Sequence, residues 1–300
     1  MSRWIAVQSV AMLVALSGAL VGAAAHAAPG APGPSGCRLK AGVHPGAVMV
    51  GEDVRVYHVI VGPQAGKAGK PPLLLAWHGF GSTLRGLVER LDIADNWPDA
   101  ILVAPEGLPR TLGEGTAPRG GWQVAPGELG DRDLALFDAL VPRMIERYCV
   151  DPDRVYSTGF SNGAMFTNLL GCVRGDKLAG IAPVAGKGPE AERCGGPVPV
   201  HLSHGRQDER VPFADGLASA KRWASVNGCR GEPAPPEDGC AEAARCKAPV
   251  AMCAFEGGHE WPEPLSVGIL DFLKAQPVKS QTMKAKRAKG KAAKASSRDE

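Results

Sequence analysis

Charged residues are almost absent from the start of the chain, where Arg3 is the only one before Cys37. The residues after Arg3 form an uncharged and mainly apolar run that ends in Ala25-His26-Ala27. A positive start, an apolar centre and a small-x-small cleavage site are typical of a secretory signal peptide, which we predict over residues 1–27. Because the run is nearly long enough to span a bilayer, an uncleaved membrane anchor is the alternative.

The end of the chain lacks the apolar residues that a hydrophobic core requires. Residues 276–300 hold eight Lys/Arg and two Asp/Glu, which predicts a disordered basic tail. We expect its lysines to contact anionic surfaces weakly, unless the tail serves only solubility. The tail contributes +6 and Arg3 +1 to a whole-chain charge of +3, so the body between them carries −4. Such a body has no basic stripe, and nucleic acid is excluded as a partner.

Cysteine is absent from both ends, and all eight cysteines lie between Cys37 and Cys253. An even number of cysteines in an exported chain predicts disulfides, with many connectivities open. No Cys-x-x-Cys and no histidine pair accompanies the neighbouring Cys240, Cys246 and Cys253. The pattern therefore favours disulfides over the alternative of a zinc site, and we expect neither a metal nor a cofactor.

The body has no internal repeat and is long enough for one α/β domain, which we place at residues 37–275 after a flexible Pro/Gly-rich leader at 28–36. Short apolar runs alternate with helical patterns, which predicts a mainly parallel sheet with helices on both faces. Pro142 should kink the helix predicted at 131–148 or divide it in two. The other predicted elements are a strand pair within 47–61, strands at 72–77, 100–105, 180–186, 198–204 and 250–255, and helices at 214–226 and 264–276.

A Gly-x-Ser-x-Gly turn joins an apolar strand, beginning at Val155, to the start of a helix. Ser161 lies at its centre between Gly159 and Gly163. A serine on such a turn is pushed into a cleft, and the flanking glycines are needed because a Cβ would clash where strand and helix approach most closely. The helix also points its N-terminal N–H groups toward the position of a tetrahedral oxyanion. Ser161 is therefore the predicted nucleophile.

The chain supplies an acid and a base after Ser161 in the order that this kind of site requires. A serine hydroxyl needs a base to take its proton and a carboxylate that holds the base in the right tautomer. Among the later aspartates only Asp208 directly follows a buried-type strand, and His259 is the only histidine after it. We predict a triad of Ser161, His259 and Asp208, with Glu209 and Glu260 as solvated neighbours.

An oxyanion hole needs two N–H donors, one after the nucleophile and one from an earlier loop. The predicted donors are the amides of Asn162 and Phe80, because Phe80 lies in the loop that follows the strand at 72–77. His78 precedes the nucleophile and is interpreted as a hydrogen-bonded structural residue. We interpret His201 and His204, which lie on a strand, as core or near-site residues.

Several stretches together carry a family resemblance. They are LAWHG at 75–79, APEGLP at 104–109, GW at 121–122, CVDPDRVYSTGFSNG at 149–163, APVAG at 182–186, HGRQD at 204–208 and GGHEWP at 257–262. With them the chain resembles the secreted esterases of carbohydrate esterase family one, which include polyhydroxybutyrate depolymerases and feruloyl esterases. The resemblance covers most of residues 37–275 but not the lysine-rich tail. It implies an α/β-hydrolase fold and a serine esterase without cofactor or metal.

The resemblance also places Trp122 and Trp261 near the substrate cleft. An indole there would stack on an aromatic acyl group or a sugar, although either residue would equally suit the core. We therefore favour soluble feruloyl-type esters over polyhydroxyalkanoate oligomers, because nothing after Ala275 predicts a domain that adsorbs to solid polymer. The alternatives from another class are a peptidase and a non-catalytic binding protein on the same fold. We expect a secreted monomer acting on small-molecule, oligomeric or polysaccharide-linked esters.

The geometry around Ser161 predicts one disulfide. The strand before Ser161 and the helix after it run in opposite directions, and the helix rises about 1.5 Å per residue. Eleven residues beyond Ser161, Cys172 has returned roughly as far as the strand rose from Cys149. This predicts a Cys149–Cys172 bond at the foot of the sheet.

Overall fold

The computed structural model describes residues 36–111, 113, 117–190, 193–235 and 238–278. The predicted signal peptide, the leader up to residue 35 and the basic tail from residue 279 lie outside these ranges. In the described ranges, no helix combines the length and the apolar character needed to cross a membrane.

Most strands of the described chain belong to one nine-stranded sheet. The strands are β1 (Gly42–Val50), β2 (Asp53–Val61), β3 (Leu73–Trp77), β4 (Ile101–Pro105), β5 (Pro109–Arg110), β6 (Arg119–Gly120), β7 (Val155–Phe160), β8 (Gly180–Val184), β9 (Val200–Gly205), β10 (Gly239–Glu242) and β11 (Val250–Phe255). The sheet has the order β1-β2-β4-β3-β7-β8-β9-β11-β10, and β5 pairs separately with β6. Its six central strands, from β4 to β11, are parallel, while β1, β2 and β10 run antiparallel to their neighbours.

Helices cover both faces of this sheet. They are α1 (Leu84–Leu91), α2 (Ile93–Asn96), α3 (Arg132–Tyr148), α4 (Asn162–Val173), α5 (Phe213–Val226) and α6 (Leu265–Lys274). One apolar cluster holds the buried side chains of α3, α4 and α5, and the other holds those of α1, α2 and α6. Strands β3 and β4 are buried along their whole length, as central strands covered on both faces must be. The predicted fold class, an α/β-hydrolase sheet with helices on both faces, is confirmed.

The helix that contains Pro142 is not divided at that residue. Helix α3 continues from Arg132 to Tyr148 with Pro142 inside it, so the alternative of two separate helices is wrong. The buried face, which includes Phe137, Leu140 and Met144, packs into the core on both sides of the proline. Burial of this face offsets the backbone hydrogen bond that proline cannot make.

All eight cysteines lie in described residues, and they form four disulfides. The bonds are Cys37–Cys149, Cys172–Cys194, Cys229–Cys246 and Cys240–Cys253. The predicted Cys149–Cys172 bond is therefore wrong. The prediction rested only on the positions of the two cysteines along the strand direction. Such positions do not determine how far apart the two residues lie across the sheet. Cys149 follows the end of α3, beside the start of the described chain, where the Arg38 N–H donates to the Arg147 carbonyl over 2.8 Å. Cys172 lies instead beside the loop after β8.

The parallel central strands all end at the same edge of the sheet, and the predicted triad residues and Phe80 lie in loops at that edge. Phe80 follows β3, Ser161 follows β7, Asp208 follows β9 and His259 follows β11. Ligands of open α/β sheets bind at the carboxyl ends of the strands. The fold thus gathers the candidate site from four separate loops.

Candidate active site

The turn at Ser161 has the backbone strain expected between a strand and a helix at this position. Ser161 lies between β7 and α4 with φ 56° and ψ −117°, a backbone conformation that residues other than glycine rarely adopt. A Cβ on Gly159 would lie 2.4 Å from the Gly163 carbonyl oxygen, and one on Gly163 would lie 2.0 Å from the Trp77 carbonyl oxygen. The predicted need for glycine at both positions is confirmed.

The side chains of Ser161, His259 and Asp208 form a continuous line of hydrogen bonds. His259 Nε2 lies 2.8 Å from Ser161 Oγ, and His259 Nδ1 lies 2.7 Å from Asp208 Oδ2. Because a carboxylate can only accept, Nδ1 must carry the ring proton when the imidazole is neutral. The unprotonated Nε2 then faces the serine hydroxyl, and this arrangement can remove the hydroxyl proton.

Asp208 is held by more groups than the histidine alone. Its Oδ1 accepts the N–H groups of Arg210 and Val211, each over 2.9 Å. Its Oδ2 also lies 3.3 Å from Nε2 of the buried His204. Burial alone would raise the pKa of Asp208, but the hydrogen bonds from Val211, His259 and Arg210 outweigh it and lower the pKa. The carboxylate therefore stays charged where its partner needs it.

His78 orients the loop that carries the predicted donor Phe80. His78 Nδ1 lies 2.8 Å from the Gly79 carbonyl, and His78 Nε2 accepts the Gly107 N–H over 2.9 Å. The Ser82 N–H also donates to the Gly79 carbonyl, over 3.0 Å. A trans peptide directs its N–H opposite to its carbonyl, so these bonds turn the Phe80 N–H away from His78 and Ser82. Burial lowers the pKa of His78, which keeps the ring neutral in this role.

The loop carrying Phe80 and the start of α4 meet at the nucleophile. A Cβ on Gly79 would lie 3.5 Å from the Ser161 Cβ. A Cβ on Gly121 would lie 2.8 Å from Asn162 Oδ1 and 3.1 Å from a ring carbon of Phe80. Phe80 and Asn162 therefore flank the same backbone, and Asn162 begins α4, where amides lack an acceptor within the helix.

Both tryptophans that were predicted near the substrate cleft have the core position that the sequence left open as the alternative. The Trp122 side chain is fully buried, stands edge-on to Trp77 with ring centroids 5.0 Å apart, and donates from Nε1 to the His78 carbonyl over 2.8 Å. Trp261 is also buried and donates to Ser266 Oγ over 3.0 Å. Both indoles thus lie in the core of the described structure, and their contact with a substrate stays a prediction.

The other ionisable residues singled out from the sequence have different surroundings. Glu209 and Glu260 are exposed, as expected of solvated neighbours. His204 Nε2 donates to the Val211 carbonyl over 2.7 Å, and burial lowers its pKa. His201 lies beside the Cys240–Cys253 disulfide with its Nε2 3.2 Å from Cys253 Sγ. Disulfide sulfurs are not the thiolates that zinc requires, so this cluster does not support the zinc alternative.

The sequence did not reveal the amides of Arg210 and Val211 or the side chain of Asn162 as supports of the site, and it placed His204 in the core or near the site without its contact with Asp208. The Asn162 side chain accepts the Trp122 N–H over 2.7 Å and donates to the Trp122 carbonyl over 2.9 Å. The proximity of His204 and Asp208 in sequence, at i and i+4, was the one available signal. The Asn162 contact spans 40 residues and leaves no local pattern.

Comparisons with known proteins agree with the resemblance seen in the motifs. The chain is 30% identical over 200 residues to a probable feruloyl esterase C of Aspergillus terreus and 32% identical over 200 residues to feruloyl esterase C of Emericella nidulans. Each alignment covers 64% of this chain and 64% of the relative, so the match spans less than two thirds of the relatives' length. No protein-family model matches the chain.

Solved structures share the fold. An acetyl xylan esterase from Aspergillus awamori superposes with a TM-score of 0.57 at 15% identity, over 76% of this chain and 99% of that one. A ferulic acid esterase from Anaeromyces mucronatus, solved in complex with ferulic acid, superposes with a TM-score of 0.53 at 17% identity, over 79% of this chain and 90% of that one. At such identities the likeness concerns the fold alone.

Proposed function

We propose that the chain hydrolyses carboxylic esters with Ser161 as nucleophile. It has the α/β-hydrolase fold and is homologous to feruloyl esterases. The observation that carries the proposal is the hydrogen-bonded line from Ser161 Oγ through His259 to Asp208. Acyl transfer needs a hydroxyl, a base whose free nitrogen faces that hydroxyl, and a carboxylate hydrogen-bonded to the other nitrogen of the base.

In the proposed acylation step, His259 Nε2 takes the Ser161 proton as Oγ attacks the ester carbonyl carbon. The carbonyl oxygen becomes an oxyanion that accepts hydrogen bonds from the Phe80 and Asn162 amides. Asp208 stabilises the resulting imidazolium and keeps Nδ1 protonated. The tetrahedral intermediate collapses when His259 gives its proton to the departing alkoxide. An alcohol leaves and an acyl-Ser161 ester remains.

Deacylation repeats these steps with water in place of the serine hydroxyl. His259 Nε2 takes a proton from water, and the hydroxide equivalent adds to the acyl carbon. The same two amides stabilise the second oxyanion. Collapse returns the proton to Ser161 Oγ and releases the carboxylic acid, so the cycle uses only groups of the chain and one water molecule.

Feruloyl-type esters are the proposed substrates within the class of soluble and polysaccharide-linked esters. The support is the names of the relatives, not the tryptophans, because Trp122 and Trp261 are buried. We further propose that the protein is exported. The four disulfides support this, because such bonds persist in oxidising compartments.

The first experiment follows release of ferulate from methyl ferulate by the purified full chain and by Ser161→Ala. The variant should lose turnover by at least about 10³-fold, because the base then has no hydroxyl to activate. Ser225→Ala, on the exposed side of α5, is the matched control and should keep full activity. Turnover that survives in Ser161→Ala would contradict the assignment of the nucleophile.

A second comparison separates the substrate classes. We expect kcat/KM for methyl ferulate to exceed that for a soluble hydroxybutyrate oligomer and that for a peptide amide. If the oligomer is preferred by tenfold, about 1.4 kcal/mol of transition-state stabilisation, the function is that of a polyhydroxyalkanoate depolymerase. Preference for the amide would indicate a peptidase, and inactivity on all three substrates a binding protein.

A further inference from the structure

We propose that Trp122 is a positioning residue that fixes both oxyanion donors, and the inference rests on the proposed esterase function. Phe80 lies in the loop after β3, and Asn162 lies at the turn between β7 and α4, as the first residue of that helix. Two amides from separate loops stabilise an oxyanion only if their relative positions are fixed before the reaction, since reorganisation would cost part of the stabilisation. Trp122 contacts both loops.

The first contact fixes Asn162. Its side-chain amide and the backbone of Trp122 form two hydrogen bonds, one in each direction, over 2.7 and 2.9 Å. Both groups are buried, and Arg110 donates to the same Trp122 carbonyl. Two bonds between planar groups define an orientation as well as a distance. The first residue of α4, and with it the donor N–H, is therefore fixed relative to Trp122.

The second contact fixes the loop of Phe80. The Trp122 indole N–H donates to the His78 carbonyl over 2.8 Å, and the Gly81 N–H donates to the Gly120 carbonyl over 2.8 Å. The segment ending in Trp122 thereby holds the peptide before and the peptide after the one that carries the Phe80 N–H. With its two neighbours held, the donor peptide has little freedom to turn.

Burial separates this role from substrate binding. The Trp122 side chain is fully buried between Trp77 and Phe166, with ring centroids 5.0 and 5.9 Å away. It can therefore act on the reaction only through the groups it bonds. Glycine at position 121 lets the backbone before Trp122 approach Asn162 this closely, because a Cβ there would lie 2.8 Å from Asn162 Oδ1.

The test measures turnover and the binding of a transition-state mimic for Trp122→Phe in the full chain. Phenylalanine keeps an aromatic ring in the core but lacks the N–H. We expect kcat to fall about tenfold or more with KM within twofold, and a boronic acid that forms a tetrahedral adduct with Ser161 to bind weaker by a similar factor. Asn162→Ala keeps the donor amide but removes the paired side chain, and should show the same signature.

Trp223→Phe is the matched control, because Trp223 is a fully buried tryptophan whose Nε1 donates over 2.8 Å to Asn168 Oδ1 in α4, but not to Asn162 or to the loop of Phe80. It should lower Tm as Trp122→Phe does while kcat stays unchanged. If Trp122→Phe does not fold, Asn162→Ala decides. The inference is overturned if the folded variants keep kcat within twofold, or lose kcat without losing affinity for the boronic acid. If the inference is overturned in this way but Ser161→Ala still abolishes the wild-type activity, the proposed function remains supported.

Discussion

The Arg55 guanidinium donates to Asp133 Oδ1 over 2.8 Å, and neither side chain is exposed to solvent. Burial lowers the pKa of Arg55, and the attraction of Asp133 opposes that shift. Asp133 also accepts the Gln123 N–H over 2.8 Å. The pair therefore ties β2 and the first turn of α3 to the backbone next to Trp122.

Removing one partner of this pair should destabilise the protein strongly, because it leaves a buried charge without compensation. We expect Asp133→Ala to lower the free energy of unfolding by about 3–5 kcal/mol, measured by urea denaturation. Glu89→Ala is the control, since Glu89 pairs with Arg85 over 2.7 Å on the surface, and its midpoint should not change. Similar losses in the two variants would show that the buried pair has no special role.

Much of the site could be predicted because its residues follow strands with clear patterns. The strand-like runs before Ser161 and Asp208 form buried parallel strands, and the carboxyl ends of such strands meet at one edge. The strained turn at Ser161 is encoded by its two glycines. Chain order then left one histidine, His259, to complete the line.

The parts that could not be predicted depend on contacts without a local pattern. Strand β10 (Gly239–Glu242) is short and alternates between half-buried and exposed residues, so no apolar run marks it. The direction of the Trp122 ring follows from packing against residues far away in sequence, since a loop has no periodicity that assigns a face. Disulfide partners depend on lateral positions of loops, which element lengths do not determine.

The triad geometry makes a prediction for Asp208→Asn. A carboxamide can donate to His259 Nδ1 and so favour the tautomer with its proton on Nε2, which cannot accept the Ser161 proton. We expect kcat on methyl ferulate to fall by roughly 10⁴-fold, with the fold preserved. Asp215→Asn, on neighbouring α5 and outside the hydrogen-bonded line, should keep kcat within twofold. Equal effects of the two substitutions would argue against an orienting role for Asp208.

The disulfides should differ in their contributions to stability. Cys37–Cys149 joins residues 112 apart, whereas Cys229–Cys246 joins residues 17 apart. Loop-closure entropy gives roughly 5 kcal/mol for the first bond and roughly 3 kcal/mol for the second. Replacing both cysteines by alanine should therefore lower Tm more for the long loop than for the short one. Peptide mapping without reduction checks the pairings, and a Cys149–Cys172 peptide would contradict them.

His201 should make the protein less stable in weak acid. Its ring is buried beside the Cys240–Cys253 disulfide and 5.1 Å from the Phe272 ring, and burial lowers its pKa from 6.5 to about 4. Between those values the unfolded chain binds a proton that the native state does not, so stability decreases as pH falls, by up to about 1.4 kcal/mol per pH unit. Below about pH 4 both states are protonated and this loss stops.

Urea unfolding at pH 7 and pH 5 measures this contribution. The wild type should lose more stability on acidification than His201→Gln, by on the order of 2 kcal/mol, because glutamine cannot take up the proton. Ser203→Ala removes the hydroxyl that lies 3.4 Å from His201 Nδ1 without changing the titrating group, and it should shift stability equally at both pH values. If His201→Gln leaves the difference between pH 7 and pH 5 unchanged, His201 is not the group that the native state keeps unprotonated.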